Sequence, residues 1–333
     1  AALASGTGFA NGLAAAANRK CLPFISGTLW FVSGHESSGW QTAQWRRELT
    51  QQKAIGFDLL WLVNAQALLN TQEFSLHQLL DLCSEMGFKA ILDTGSTHDW
   101  HSRLNVKEEI AACTKNIRAI NERVAGHSAF HSWYIPHEIY MCWGPMNDYI
   151  RELYPALVTT CKKAANRPVS VSPFFILDRT KVFGDFRFNE PAEYRAYWAD
   201  LIKRSGLNIV MLQDSGEHFA YVTIEQRRPF FDAMSRACKD SGAQLWGNVE
   251  VAEMNIPSIE EYVKRYGRVH HATVKDMPWR AVPMDRLKQK LDLAASYSGR
   301  LISWGYKEYC RPALGPAAKD WYRNYLQYRT AND

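Results

Sequence analysis

The sequence predicts an α/β fold, a single (β/α)8 TIM barrel with an insertion between strand 7 and strand 8. Three observations carry this reading. Eight apolar, strand-like runs alternate with amphipathic helical runs from one end of the chain to the other. Glycine follows the helical runs again and again, at Gly56, Gly87, Gly206, Gly242 and Gly299, where a helix must stop and turn into the next strand. The 333 residues also suit a barrel built as one domain around one large core.

The expected strands cover residues 24–32, 57–63, 89–95, 130–138, 168–176, 207–214, 244–251 and 301–306. Helical periodicity covers residues 41–55, 75–86, 106–124, 145–165, 191–205, 224–241 and 284–297, with a final helix over 316–328. Strict alternation means parallel strands joined by right-handed crossovers, and eight units without a break favour a closed barrel over an open sheet. An open doubly wound sheet would want a phosphate-binding turn after the first strand. Here that turn reads Ser33-Gly34-His35-Glu36-Ser37-Ser38-Gly39, which is neither GxGxxG nor a P-loop. The seventh connection, residues 252–299, is longer than the rest and holds two helical patterns around His270-His271. It reads as an insertion in the barrel, so residues 21–333 form one catalytic domain.

Composition narrows the class. Hydrophobic residues at 47% and charged residues at 22% exclude disorder, collagen-like repeats and coiled coil. Lys plus Arg at 39 against Asp plus Glu at 34, with no dense basic block, gives no case for nucleic acid. No stretch approaches the roughly 18 apolar residues of a membrane span, and a monomer is expected. Residues 1–17 are uncharged, rich in Ala and Gly, and followed by Asn18-Arg19-Lys20. Residues 1–20 therefore read as an export-signal remnant, of twin-arginine or Sec type, or else as a flexible N-terminus, and export places the protein in the periplasm or outside the cell. The seven cysteines form no CxxC pair and no zinc spacing. Cys83, Cys113, Cys161 and Cys238 fall on apolar helix faces, and only Cys142 and Cys310 sit where a disulfide is expected to be feasible.

Catalytic groups in such a barrel lie at the carboxyl ends of the strands. In the fourth strand the period of two puts Tyr134, Pro136 and Glu138 on one face and Trp133 and Ile135 on the other. In the seventh, Trp246, Asn248 and Glu250 face inward, while Leu245, Gly247, Val249 and Val251 pack under helices. Two glutamates thus face one another across the mouth, the pair that glycoside hydrolysis needs for proton transfer and for attack at the anomeric carbon or activation of water. Glu253, just beyond the alternating run, is a rival for Glu250. Substrate contacts are expected from Asp93, Gln213 and Asp214 at other strand ends and from a rim of tryptophans, Trp30, Trp246 and above all Trp304, whose faces suit pyranose rings.

These motifs resemble the large superfamily of retaining glycosidases whose acid/base glutamate ends strand four and whose nucleophile glutamate ends strand seven. More closely, residues 133–138 (Trp-Tyr-Ile-Pro-His-Glu), 210–214 (Val-Met-Leu-Gln-Asp) and 245–250 (Leu-Trp-Gly-Asn-Val-Glu) are similar to an uncharacterised bacterial family of glycosidase-like TIM barrels, a domain of unknown function, over residues 23–328. The resemblance implies Glu138 as acid/base and Glu250 as nucleophile, with a glycan as substrate. One position departs: His137 stands where the superfamily has an Asn that binds the sugar 2-hydroxyl, and its imidazole is expected to make a similar bond. Two other readings compete. A non-catalytic glycan-binding barrel would use the aromatic rim alone, and is favoured if either glutamate is locked in a structural ion pair. A metal-dependent hydrolase would draw on Asp93, His98, His137, Asp214 and His218, but no HxH or close His pair supports it, so neither metal nor cofactor is expected.

Overall fold

The computed structural model describes residues 22–32, 37–69, 74–182, 186–215, 219–269 and 271–331. The expected export segment, residues 1–20, lies outside them, as does His218. The barrel strands are β1 (Gly27–Phe31), β2 (Leu59–Val63), β3 (Lys89–Asp93), β4 (Phe130–Ile135), β5 (Val169–Val171), β6 (Ile209–Gln213), β7 (Gln244–Asn248) and β10 (Arg300–Ile302). All neighbours in that order pair in parallel. The ring closes between β1 and β10: the Leu29 amide donates to the Ser303 carbonyl at 2.8 Å and the Ser303 amide to Gly27 at 2.9 Å.

The crossovers are α1 (Thr42–Ala54), α2 (Leu76–Glu85), α4 (Val106–Val124) after the one-turn α3 (Trp100–Arg103), α5 (Gly144–Ala164), α6 (Pro191–Ser205), α7 (Arg228–Ser241) and α9 (Met284–Ala295), with α10 (Pro316–Thr330) closing the chain. Local signals explain the ends. Ser75 and Gln78 form a reciprocal cap on α2, and α6 ends where Gly206 takes φ 71°, a left-handed conformation that costs glycine nothing. Gly56, Gly87 and Gly242 do the same; Gly299 does not.

The strand alternation sorts side chains into two cores. Trp30, Trp133, Ile135, Val249 and Val251 join the layer between barrel and helices. Leu59, Trp61, Ile91, Tyr134, Ile209, Met211, Trp246 and Ile302 fill the barrel itself. The insertion holds α8 (Ile259–Tyr266) and a feature its sequence did not announce, an antiparallel pair of β8 (Ala252–Met254) and β9 (Trp279–Ala281). A third apolar cluster beneath it, including Phe219, Met254, Ile256 and Tyr262, seats it on the loop after β6. No helix among the described residues is long and apolar enough to cross a membrane.

The six described cysteines are buried and unpaired. Cys142 and Cys310, the one pairing the sequence left open, do not bridge: Cys142 packs beside Tyr197, and the Cys310 thiol points to the Val251 carbonyl at 3.8 Å. Burial pushes the Cys142 thiol up to about 11 and Cys83 up to about 12, so neither offers a thiolate near neutral pH.

Candidate active site

A cleft of about 510 Å³ opens at the carboxyl ends of the barrel strands. It is lined by Leu29 and Phe31 of β1, Trp61 and Val63 of β2, Tyr134, Pro136 and Glu138 of the β4 run, Gln213 of β6, Asn248 and Glu250 of the β7 run, and Trp304 and Glu308 after β10.

Glu138 is carried three residues past β4 by a tight turn in which its amide donates to the Pro136 carbonyl at 3.0 Å. Its carboxylate is exposed and accepts hydrogen bonds from the Tyr134 hydroxyl at 2.6 Å and the Gln213 amide at 2.9 Å. The Tyr134 phenol is pushed well above its ordinary value, first by burial and then by the Glu138 charge it bonds.

Glu250 lies two residues past β7, on a stretch that remains paired to the far side because the Val249 amide donates to Ile302 at 2.8 Å and the Val251 amide to Trp304 at 3.0 Å. It is 3% exposed. Beneath it, Lys290 of α9 donates to the Glu250 carbonyl at 2.5 Å and pairs with Asp214 at 2.9 Å. Glu253 does not line the cleft. It belongs to β8 and is held in ion pairs by Arg280 at 2.7 Å and Arg286 at 2.7 Å.

Of the expected substrate contacts, Tyr134, Gln213, Asn248 and Trp304 line the cleft. Five do not. His137 is fully buried, because the alternation that turns Glu138 inward turns the residue before it outward; its Nε2 lies 2.8 Å from Glu109 Oε1, and Tyr154 donates to its carbonyl at 2.6 Å. Burial alone would raise the Glu109 carboxyl, but bonds from His137 and Thr97 bring it down to about 2. Asp214 is committed to Lys290 behind the cleft. Asp93 is 2% exposed and accepts from the Ala65 amide at 2.9 Å; burial pushes its carboxyl up to about 6 against the pull of amides from Ala65, Asn64 and Gly95. Trp30 faces the helices, packed at a tilt against Trp40 and Trp45. Trp246 points into the barrel but toward its amino end, where the Arg300 guanidinium lies over its ring.

Five lining residues were not foreseen: Leu29, Phe31, Trp61, Val63 and Glu308. Phe31 and Trp61 follow from the same alternation, since residues 29 and 31, and 61 and 63, share the inward faces of β1 and β2. Phe31 is 47% exposed at the rim. Glu308 carries no strand signal, for it lies in a π-helical turn (Tyr306–Cys310) that starts from Gly305 at φ 98°. A side chain at Gly305 would meet the Ala252 Cβ at 3.0 Å, so glycine is needed there on two counts. Trp304 packs edge-on to Trp279 and Tyr309, forming an aromatic corner beside it. Among the described residues, two groups have metal-binding spacing, His77–Asp81–His127 and Glu109–Cys113–His137, and neither lines the cleft.

No curated protein matches the sequence. Among solved structures, a protein of Bacteroides thetaiotaomicron VPI-5482, provisionally described as an alpha-L-fucosidase, aligns over 99% of each chain with TM-score 0.71 at 17% identity. The GH2 beta-galacturonidase of Eisenbergiella tayi aligns over 93% of this chain and 51% of its own, with TM-score 0.52 at 14% identity, so this chain spans about half of that enzyme. At such identities the likeness is one of fold, a glycosidase-like barrel. The profile of the family described as "Domain of unknown function (DUF4434)" matches residues 25–315, and the chain belongs to that family.

Proposed function

We propose that this protein is a retaining glycoside hydrolase of oligo- or polysaccharides, with Glu138 as acid/base and Glu250 as nucleophile. The observation that carries the reading is that glutamates from the ends of β4 and β7 line one cleft at the carboxyl end of the barrel. In the first step Glu138 protonates the glycosidic oxygen while Glu250 attacks the anomeric carbon; in the second, Glu138 takes a proton from the water that releases the sugar. The bonds from Tyr134 and Gln213 suit the second step, where Glu138 is a base. That both structural neighbours are described as glycosidases supports the same reaction class.

The test is a panel of bacterial polysaccharides and aryl glycosides assayed for new reducing ends and released phenol. Wild type should cleave at least one. Glu138→Gln should lose the natural glycan yet retain glycosylation by an activated aryl glycoside, which needs little protonation; equal loss on both removes Glu138 from the acid role. The exposed Phe31 and the Trp304 corner favour one other reading, a binding barrel without catalysis, which would bind a glycan of the panel and cleave none.

A further inference from the structure

We infer that Glu109 of α4, acting through His137, is the positioning residue of Glu138. The inference deepens the reading of Glu138 as acid/base and takes its catalytic meaning from that reading, while the geometry it describes stands on other residues.

The first observation is a buried carboxylate that takes no part in the cleft. Glu109 is 2% exposed, and withdrawing such a group from water is costly unless hydrogen bonds replace the water. Two loops of the barrel mouth supply them. Thr97, four residues past β3, donates its amide to Oε1 at 2.9 Å and its hydroxyl to Oε2. His137, two residues past β4, places Nε2 2.8 Å from Oε1. A carboxylate only accepts, so Nε2 carries the proton and Nδ1 is the bare nitrogen, which has no partner. One helix side chain thus joins the loop after β3 to the residue that precedes Glu138.

The second observation is how the peptide between residues 137 and 138 is held. Its carbonyl accepts from the Tyr154 hydroxyl of α5 at 2.6 Å and its amide donates to Pro136 at 3.0 Å, so both polar atoms of the unit that carries Glu138 are engaged. The imidazole of the same residue is fully buried, bonded to Glu109 and packed at 63° against the Trp100 ring, with centroids 4.9 Å apart. Of these ties the one to Glu109 is charge-assisted, and such bonds are about twice as strong as neutral ones. Glu138 is exposed, so packing does not fix its side chain. Its place depends on the direction in which the backbone sends it toward Tyr134 and Gln213, and Glu109 sets that direction from behind. The parity that turns His137 away from the sugar gives it this other task, as a rigid ring between a helix-borne carboxylate and the acid/base.

The test breaks that hold without touching the cleft. Crystal structures of Glu109→Leu and His137→Leu, which remove the same bond from opposite sides, should show Glu138 drawn away from Tyr134 and Gln213. Those distances, 2.6 and 2.9 Å in the wild type, should open beyond about 3.5 Å. Glu109→Gln keeps an oxygen for His137 and should restore both contacts. Thr97→Val removes a different bond to the same carboxylate, so it should lower the melting temperature yet leave Glu138 in place. Should Glu109→Leu not fold, His137→Leu, which leaves Glu109 its Thr97 bonds, answers the same question. A kinetic measurement follows on dinitrophenyl and methyl glycosides of the sugar that the wild type cleaves. Glu109→Leu should lose about a hundredfold in kcat/KM on the methyl glycoside, whose leaving group needs a proton, and only a few-fold on the dinitrophenyl one. The double variant Glu109→Leu/His137→Leu should lose no more than either single change. Glu138 still bonded to Tyr134 and Gln213 in the leucine variants, displaced in Glu109→Gln or Thr97→Val, or an equal kinetic loss on the two glycosides would each overturn the inference. Its fate is separable from that of the hydrolase. A protein that cleaves no glycoside but releases Glu138 in the leucine variants keeps this inference and loses the proposed activity, whereas a hydrolase whose Glu138 stays in place keeps its activity and loses this inference.

Discussion

Removing Glu250 and removing Glu253 should have opposite consequences, although they lie only three positions apart. The Glu253 side chain is 3% exposed and receives Arg280 at 2.7 Å and Arg286 at 2.7 Å. Deleting one member of a buried ion pair costs about 3–5 kcal/mol because the remaining charge stays buried. Arg280 is 41% exposed and recovers much of its hydration, whereas Arg286, at 19%, recovers less. Glu253→Ala should therefore lose roughly 2–4 kcal/mol of stability, or about 3–6 °C in melting temperature for a domain of this size. Glu250 lines the cleft, and residues at functional sites are commonly replaced at little cost in stability. Glu250→Ala should keep its stability within about 1 kcal/mol while hydrolysis falls to background, and azide should restore part of it, yielding a glycosyl azide with inverted anomeric configuration. Thermal unfolding and azide-dependent release from an aryl glycoside, run on both variants, decide the matter. Azide rescue of Glu253→Ala, or an unchanged melting temperature there, would refute the assignment.

Three further outcomes are expected. Tyr134→Phe removes a donor to the Glu138 carboxylate, so Glu138 should hold its proton to higher pH and the alkaline limb of the kcat/KM profile should move upward; a downward or absent shift would count against the acid role. Trp304→Ala should weaken oligosaccharide binding by about 1–3 kcal/mol with little change in melting temperature, whereas Trp30→Ala, at a fully buried position, should lose about 3–5 kcal/mol of stability without affecting the affinity of the folded fraction. Burial raises the Asp93 carboxyl from 3.8 to about 6, so the native state binds a proton more tightly than the unfolded chain. Its contribution is fully present below about pH 4 and lost as pH rises through about 6, roughly 3 kcal/mol in all; Asp93→Asn should flatten that decline in urea unfolding measured across the window.

The barrel was legible because its rule is local. Alternating runs specify each strand and its inward face without reference to the rest of the chain, and the same parity that brought Tyr134, Glu138, Asn248 and Glu250 to the mouth also separates Phe31 from Trp30 and Glu138 from His137. The errors came where residue type was allowed to outweigh parity or depth. Trp30 and His137 have the chemistry of sugar contacts but stand on outward positions, and Trp246, though inward, lies two residues too early on β7 to reach the mouth. Parity fails once the strand ends. Glu308 sits in a π turn with neither a period of two nor one of 3.6, and the β8–β9 pair joins three-residue segments separated by a helix. Asp214 and Glu253 look, in sequence, like any acidic residue at a strand end. Their partners Lys290, Arg280 and Arg286 are far along the chain, and only the packing of α9 and the insertion brings them in.

Those partners explain how a buried glutamate can be held accurately on a loop. A buried ion pair adds little net stability compared with apolar residues of the same volume, so the reason for Lys290–Asp214 is better sought in geometry. Lys290 reaches from α9 to the Glu250 carbonyl while Asp214, at the end of β6, fixes the ammonium. On the other side, Arg286 bonds Glu253 and also donates to the Val222 carbonyl at 2.7 Å, tying the hairpin that follows Glu250 to the segment after β6. The Glu250 backbone is thus held from below by one cation and downstream by another, both anchored on α9 or its neighbour β9. As the proposed nucleophile, Glu250 would lose much of its rate if displaced by about 1 Å, and on that proposal Lys290 and Arg286 would set its accuracy without touching the sugar. Asp214 and Glu253, bound to Lys290, Arg280 and Arg286, thus shape the wall, while Glu138, Glu250 and Glu308 line the cleft itself.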